Sequence, residues 1–249
     1  MITVTPEDRR ALRLPWSALI ANKGGEYWTK FTGRRIKGQG MIGAPGDVVA
    51  AGFGGLEGED FDEYNFPQVW VERRQIPEAI DGRIPARDAV VLDLGCGPGT
   101  STEVLAYFAD PSWTIVGYDL TRHLIERARL RAARGEFRNR AGSVITPEFR
   151  CQNVAEPLRR GSGAIEDASV DFAISCGVVG LYLQHDEASR LARELSRVVK
   201  PGGYAAIDAG PANPVATVRA VMSEAGFIEA GVARSFVIEP RPKIVFRRR

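Results

Sequence analysis

Hydrophobic and polar residues follow a regular order from about residue 88 onward. Short β-branched runs alternate with segments in which apolar residues recur every three or four positions. This alternation predicts a parallel sheet with helices on both faces. The predicted strands are residues 90–94, 113–118, 144–151, 170–176 and 203–208. The predicted helices between them are residues 100–109, 122–134 and 186–199.

The chain beyond residue 208 predicts one more helix, 214–225, and then two strand-like runs, 227–238 and 243–248. A connection as short as residues 239–242 joins strands that are antiparallel. We therefore predict an α/β fold with a doubly wound, mainly parallel seven-stranded sheet whose last strand is antiparallel.

The N-terminal segment does not share this alternation. Residues 24–58 are rich in glycine, yet aromatic residues are spread through the whole segment, which argues against a disordered tail. A helix is predicted from Pro67 to about Ile80, with Asn65 near its N-cap. We expect an N-terminal extension, residues 1–85, that covers the strand ends of a sheet domain, residues 86–249.

Composition narrows the range of functions. A chain of 249 residues with 44% hydrophobic content can bury a full core, and a formal net charge of +2 does not favour a nucleic-acid or membrane partner. Without a basic, apolar leader or a run of about 20 apolar residues, we expect a cytoplasmic protein. The three cysteines show no Cys-x-x-Cys or Cys/His spacing, so we expect neither disulfides nor a metal site.

The segment from Asp93 to Thr100 combines the end of a strand, a glycine-rich turn and the start of a helix. Its glycines permit backbone conformations closed to other residues and leave room for a ligand. Dinucleotide-binding folds use the spacing Gly-x-Gly-x-x-Gly, whereas this segment reads Asp-x-Gly-x-Gly-x-Gly. Thr100 with Glu103 also predicts a capping box at the helix start.

This segment resembles the cofactor motif of class I, Rossmann-like S-adenosylmethionine (SAM)-dependent methyltransferases, and further matches extend the resemblance over residues 89–246. The resemblance implies that SAM is the cofactor and S-adenosylhomocysteine (SAH) its product. It also implies that Asp93 orients the methionyl ammonium group. The other implied cofactor contacts of the motif are Gly95, Cys96, Gly97, Gly99 and Thr100.

Three later segments resemble the same family in the same order. Asp119, followed by Leu120, ends the second strand, where a carboxylate can accept both ribose hydroxyls. Asn153 and Val154 follow the third strand, where the family contacts adenine; the alternative is an ordinary turn-forming Asn. Cys176 ends the fourth strand, and the resemblance places the loop after it beneath the transferring methyl group.

The acceptor site is predicted from fewer signals. His185 and Tyr182 lie just past the fourth strand and are the candidate catalytic residues, although His185 also fits a surface position at a helix start. Aromatic residues of the extension either line an acceptor pocket or anchor the extension onto the sheet. The predicted substrate contacts are Tyr27, Trp28, Tyr64, Trp70 and Val178.

The leading functional hypothesis is methyl transfer to an oxygen or nitrogen of a small molecule, mainly by proximity and alignment. One alternative is an RNA or protein methyltransferase, suggested by the basic residues Lys30, Arg34, Arg35 and Lys37. A second alternative is a SAM-binding subunit without turnover. The fourth strand is followed by neither Asn-Pro-Pro-Tyr nor Asp-Pro-Pro-Tyr, the tetrapeptides of methyltransferases that act on exocyclic base amines, which argues against methylation of such an amine. We do not expect a nucleic-acid partner.

Overall fold

The computed structural model describes residues 1–21, 41–56, 58–234 and 242–249, with backbone only for residues 58–60. Its helices are α1 (Pro6–Leu12), α2 (16–21), α3 (Gly46–Gly54), α4 (Gly58–Ile80), α5 (Thr100–Phe108), α6 (Arg122–Ala133), α7 (His185–Val198) and α8 (Val215–Glu224). Its strands are β1 (Val90–Leu94), β2 (Thr114–Asp119), β3 (Glu148–Cys151), β4 (Arg159–Arg160), β5 (Gly163–Ala164), β6 (Val170–Ser175), β7 (Val199–Asp208), β8 (Phe227–Ala233) and β9 (Lys243–Arg248).

Seven of these strands form one sheet in the order β3-β2-β1-β6-β7-β9-β8. Strand β9 runs antiparallel to both of its neighbours, and the other pairs of this sheet are parallel. Strand β1 is central, with Val91 opposite Ile115 of β2 and Phe172 of β6. The predicted doubly wound, seven-stranded sheet with an antiparallel last strand is confirmed.

Both faces of the sheet are buried, as the apolar strands predict. On one face, Val91 and Val245 belong to a buried cluster that also contains Ile76 and Ile80 of α4. On the other face, Leu92 belongs to a cluster with Leu195 of α7 and Val218 of α8. Part of the N-terminal extension therefore completes the core of the sheet domain. Within the described ranges, no helix is both long and apolar enough to span a membrane.

Helix α4 differs from its prediction. We expected it to begin near Pro67, but it begins at Gly58 and contains both Pro67 and Pro77. An internal proline removes one hydrogen bond of the helix and disfavours its interior. Burial of the second half of α4 against the sheet offsets that cost, and this tertiary contribution is not visible in a local pattern.

The capping box predicted at the start of α5 is wrong. The N-cap is Gly99, whose φ of +88° suits a residue without a Cβ, and no side chain caps the helix. Glu103 instead accepts hydrogen bonds from Arg73 and Arg131, at 2.6 Å each. These ion pairs connect α4, α5 and α6.

Two strand boundaries also differ. Residues 144–147 lie outside β3, and Val144 forms only an isolated bridge with Arg138. Strand β7 begins at Val199, because the Lys200 to Gly203 segment continues the strand after ending the helix. Residues 235–238 of the predicted strand 227–238 lie outside the described residues.

Candidate functional site

The glycine turn between β1 and α5 has a backbone that only glycine adopts readily. Gly95, Gly97 and Gly99 have φ values of +82°, +53° and +88°. A Cβ on Gly95 would lie 1.8 Å from Cγ2 of Val178, so the loop after β6 packs directly on the turn. The turn is fixed to β2, because the N–H groups of Gly95 and Cys96 both donate to the Tyr118 carbonyl, at 2.7 and 2.9 Å.

Asp93 lies buried immediately before this turn. Its Oδ2 accepts hydrogen bonds from Ser101 at 2.7 Å and Thr102 at 2.6 Å, which tie β1 to α5. Its Oδ1 is buried and has no partner among the described residues. Burial raises the pKa of Asp93 to about 6, although the two hydroxyl donors lower it. An unpaired buried acceptor of this kind fits a hydrogen-bond donor such as an ammonium group.

Asp119 stands at the end of β2, beside the same turn. Its Oδ2 accepts from the Gly97 N–H at 3.0 Å and its Oδ1 from the Thr121 N–H at 2.8 Å. Removal from water raises the pKa of Asp119, against the lowering effect of these N–H groups. Each carboxylate oxygen has a second lone pair, so the group can still accept from two hydroxyls.

The residues predicted to contact adenine lie beside Asp119, under the start of α3. A Cβ on Gly46 of α3 would lie 3.5 Å from Cδ2 of Leu120 and 4.0 Å from Nδ2 of Asn153. Oδ1 of Asn153 accepts from the Ala155 N–H at 2.9 Å, which is the turn-forming role considered for it. Its amide nitrogen remains available as a donor, and Val154 is buried.

An aromatic cluster from α3, α4 and the loop after β6 covers the glycine turn. The Phe53 ring lies 5.3 Å from that of Tyr182, 5.9 Å from that of Tyr64 and 6.1 Å from that of Phe61. The hydroxyls of Tyr64 and Tyr182 are 3.5 Å apart. Phe61 reaches the turn itself, since a Cβ on Gly97 would lie 3.7 Å from its Cζ.

Sequence reasoning missed a buried group of charges beneath this cluster. Glu72 of α4 is 3% exposed, and Lys243, the first residue of β9, is fully buried. The Lys243 ammonium donates to the Ser175 carbonyl and lies 3.2 Å from the Cys176 sulfur. An acid among the buried positions of α4 and a lysine at the start of an apolar strand were the available signals.

Several predicted residues lie elsewhere. Trp70 is buried with Leu19 and Val71, its ring 4.5 Å from that of Trp16, so the structure does not bring it to the aromatic cluster. His185 is exposed at the first residue of α7. Thr100, by contrast, is at the glycine turn: it is the first residue of α5, directly after Gly99, and is half-buried. Outside the described residues lie Tyr27, Trp28, Lys30, Arg34, Arg35 and Lys37.

Two predicted cofactor contacts are cysteines with buried thiols. The Cys96 sulfur lies 2.9 Å from the place of a Cβ on Gly117, and its thiol donates to the Gly97 carbonyl of the turn at 3.6 Å. Burial raises the pKa of both Cys96 and Cys176. Across the described ranges, no group of three or more His, Cys, Asp or Glu residues could hold a metal ion.

Comparisons with known proteins identify this arrangement. Residues 91–203 match the family model of the methyltransferase domain. A probable methyltransferase, ltbC, of Aspergillus luteorubrus is 32% identical over 47% of this chain and 38% of its own length. The arsenite methyltransferase of Halobacterium salinarum is 31% identical over 53% of this chain and 29% of its own length. The matches thus span less than two fifths of these relatives.

A solved structure shares this fold. The magnesium protoporphyrin IX methyltransferase of Synechocystis PCC 6803, crystallised with SAM, superposes with a TM-score of 0.54 at 16% identity and covers 100% of both chains. The sheet order matches the Rossmann-like fold of methyltransferases. Residues 91–203, which match the methyltransferase domain, include the glycine turn and the loop after β6.

Proposed function

We propose that this protein transfers a methyl group from SAM to an oxygen or nitrogen of a small-molecule acceptor. The observation that carries the proposal is the meeting of three features at one edge of the sheet. These are the positive-φ glycine turn, the buried Oδ1 of Asp93, which has no partner among the described residues, and the aromatic cluster, whose Phe61 reaches the turn at Gly97. SAM supplies a methyl group already activated on a sulfonium, so the chain's own task is binding, alignment and exclusion of water.

Different residues are proposed to contact different parts of the cofactor. Asp93 is proposed to accept from the methionyl ammonium and Asp119 from the ribose hydroxyls. Asn153 and Val154 are proposed to contact adenine, with Leu120 beside them. The turn from Gly95 to Gly99 provides a surface without side chains against which the cofactor lies.

The acceptor is proposed to bind under a cap, which we define as α3 with residues 58–68 of α4. Within it, Phe53 and Tyr64 face Tyr182 of the sheet domain, forming an apolar wall with two hydroxyls at its end. Tyr182 is therefore preferred over the exposed His185 as the residue that contacts the acceptor. The relatives act on arsenite or a magnesium porphyrin by name, so this proposal rests on the chain's own residues.

Calorimetric titration with SAH tests the cofactor assignment. We expect Asp119→Ala to weaken binding by about 1.5–3 kcal/mol, the loss typical of hydrogen bonds to a charged acceptor. Asp110→Ala, at an exposed carboxylate that accepts from Ser112, is the matched control and should bind like the wild type. Unchanged binding in a folded Asp119→Ala protein would remove the ribose assignment.

The acceptor class is tested by methyl transfer from labelled SAM to a panel of phenols, carboxylic acids and amines, with total RNA and a protein extract in parallel. We expect transfer to at least one small molecule and none to RNA or protein. Transfer to RNA or protein alone would contradict the small-molecule assignment while leaving the methyltransferase assignment intact.

A further inference from the structure

Three polar side chains follow one face of α4 at intervals of four residues. The Tyr64 hydroxyl meets that of Tyr182. Gln68 lies against the loop after β6, since a Cβ on Gly177 would be 2.9 Å from its Cδ. Glu72 comes one turn later and is buried. Residues four apart share a helix face, so this stripe leads from the aromatic cluster down to the buried charges.

Glu72 lies among charged groups from three strands of the sheet domain. Lys243 of β9 attracts its charged form, whereas Asp93 of β1 and Asp208 of β7 oppose it. Within α4, Gln68 donates a hydrogen bond to the carboxyl. The thiols Cys96 and Cys176 also face this group, and Oε2 of Glu72 has no partner among the described residues.

Around Glu72, the acidic side chains named above outnumber the basic ones. One ammonium, Lys243, faces the carboxyls of Glu72, Asp93 and Asp208. Asp208 is held by Ser175 at 2.5 Å and by the Gly180 N–H at 2.8 Å. Burial raises the pKa of Glu72 to about 8, so its carboxyl carries a proton near neutral pH. A further positive charge nearby would favour ionisation of Glu72.

We propose that Glu72 distinguishes SAM from SAH by charge: it releases more of its proton when SAM binds than when SAH binds. This inference rests on the proposed function. SAM carries a sulfonium, whereas the sulfur of SAH is uncharged, and the two ligands are otherwise alike in charge. Glu72 lies close enough to Asp93, at the glycine turn, for the two carboxyls to interact, and Gln68 joins it to the loop after β6. These two contacts put Glu72 near the proposed methionyl site.

The proposal predicts the direction in which the preference for SAM over SAH changes with pH. A ligand whose binding releases a proton binds more tightly as the pH rises. The preference for SAM over SAH should therefore grow as the pH rises through about 8, where Glu72 ionises. Product inhibition by SAH should weaken over the same range.

Calorimetry in two buffers of different ionisation enthalpy measures the protons released on binding, without any turnover. Near pH 7.5 we expect SAM to release on the order of 0.5 proton more than SAH. Glu72→Gln keeps the shape of the side chain but cannot titrate, and should remove the difference. The matched control is Glu78→Gln, an exposed position of the same helix whose carboxylate accepts from the Arg234 N–H, and it should keep the difference.

The ratio of the SAH and SAM dissociation constants is the second measurement. Between about pH 6.5 and 8.5 it should rise roughly three- to tenfold in the wild type and stay flat in Glu72→Gln. Equal proton release for the two ligands, or a difference that persists in Glu72→Gln, would overturn the proposal while the proposed function stands. If the wild type bound neither SAM nor SAH, both this proposal and the proposed function would be wrong.

Discussion

The His123 Nε2 lies 3.0 Å from the carbonyl oxygen of Leu56, which fastens α6 to the segment between α3 and α4. Helix α6 begins just after Asp119, the proposed ribose carboxylate. The ring of His123 thus connects the cap to the part of the site that binds the cofactor. We therefore expect the cap to separate from α6 when the cofactor leaves.

Removal of this fastening should speed cofactor release. We expect His123→Ala to raise the SAH dissociation rate by roughly three- to tenfold, which corresponds to the ~0.5–1.5 kcal/mol of one hydrogen bond. Stopped-flow fluorescence provides the measurement. Arg122→Ala, at the exposed neighbouring position, is the control. Identical rates in the two variants and the wild type would show that the cap does not limit release.

Two glycines of the turn should differ in their tolerance of alanine. Gly95→Ala places a Cβ 1.8 Å from Val178 in a backbone with φ of +82°, whereas Gly97→Ala meets Phe61 at an ordinary 3.7 Å with φ of +53°. Both substitutions carry the ~1–2 kcal/mol strain of the left-handed region, but only the first also displaces a neighbour. We expect SAH affinity to fall more than tenfold further in Gly95→Ala, by calorimetry. Equal losses would mean that Val178 moves freely.

Substitution of Trp70 should lower the stability of the protein, whereas substitution of Tyr64 should lower its turnover. Trp70 is buried between Trp16 and Arg74, whose guanidinium lies 3.3 Å from the ring centroid. Trp70→Ala should therefore lower the free energy of unfolding by about 3–5 kcal/mol. Tyr64→Phe should leave stability unchanged and lower kcat/KM for the acceptor, because it removes only the hydroxyl beside Tyr182. The opposite pattern in urea titrations and kinetics would place the acceptor at Trp70.

Glu72 should also make the stability of the ligand-free protein depend on pH. Burial raises its pKa from 4.5 to about 8, so the folded state holds the proton more tightly than the unfolded state. Its contribution is complete below about pH 4.5 and is lost as the pH rises through about 8, at up to ~1.4 kcal/mol per pH unit. Urea unfolding from pH 5.5 to 8.5 should show this decline in the wild type and a flatter profile in Glu72→Gln. A parallel decline in both would assign the dependence to other groups.

The sheet and the glycine turn could be predicted from the sequence because both depend on local patterns of residues. The buried strands are short apolar runs, and the turn needs glycine at Gly95, Gly97 and Gly99 for reasons of backbone conformation alone. Asp119 follows from its place at the end of the second strand. Each of these signals lies within one strand and the turn that follows it.

The structure of the N-terminal extension was less predictable, because it depends on contacts between residues that are far apart in the sequence. Nothing near Pro67 indicates that the helix runs through it, since the burial that stabilises α4 comes from strands far along the chain. Trp70 is as aromatic as Tyr64, and only the packing against Trp16 and Arg74 separates them. Glu72 and Lys243 are 171 positions apart in the sequence, so their meeting could not be read from spacing.

Because β9 is antiparallel to its neighbours, the charged group at the functional edge is complete only after this last strand has docked. A parallel strand brings its last residue to the functional edge, but β9 brings its first, Lys243, which pairs with Asp208 at the end of β7. Until β9 has docked, Glu72, Asp93 and Asp208 lack the only cation shown to face all three among the described residues. A folding intermediate without this strand would therefore hold the glycine turn beside uncompensated acids, and recovery of SAH binding would report the docking of the final strand during refolding.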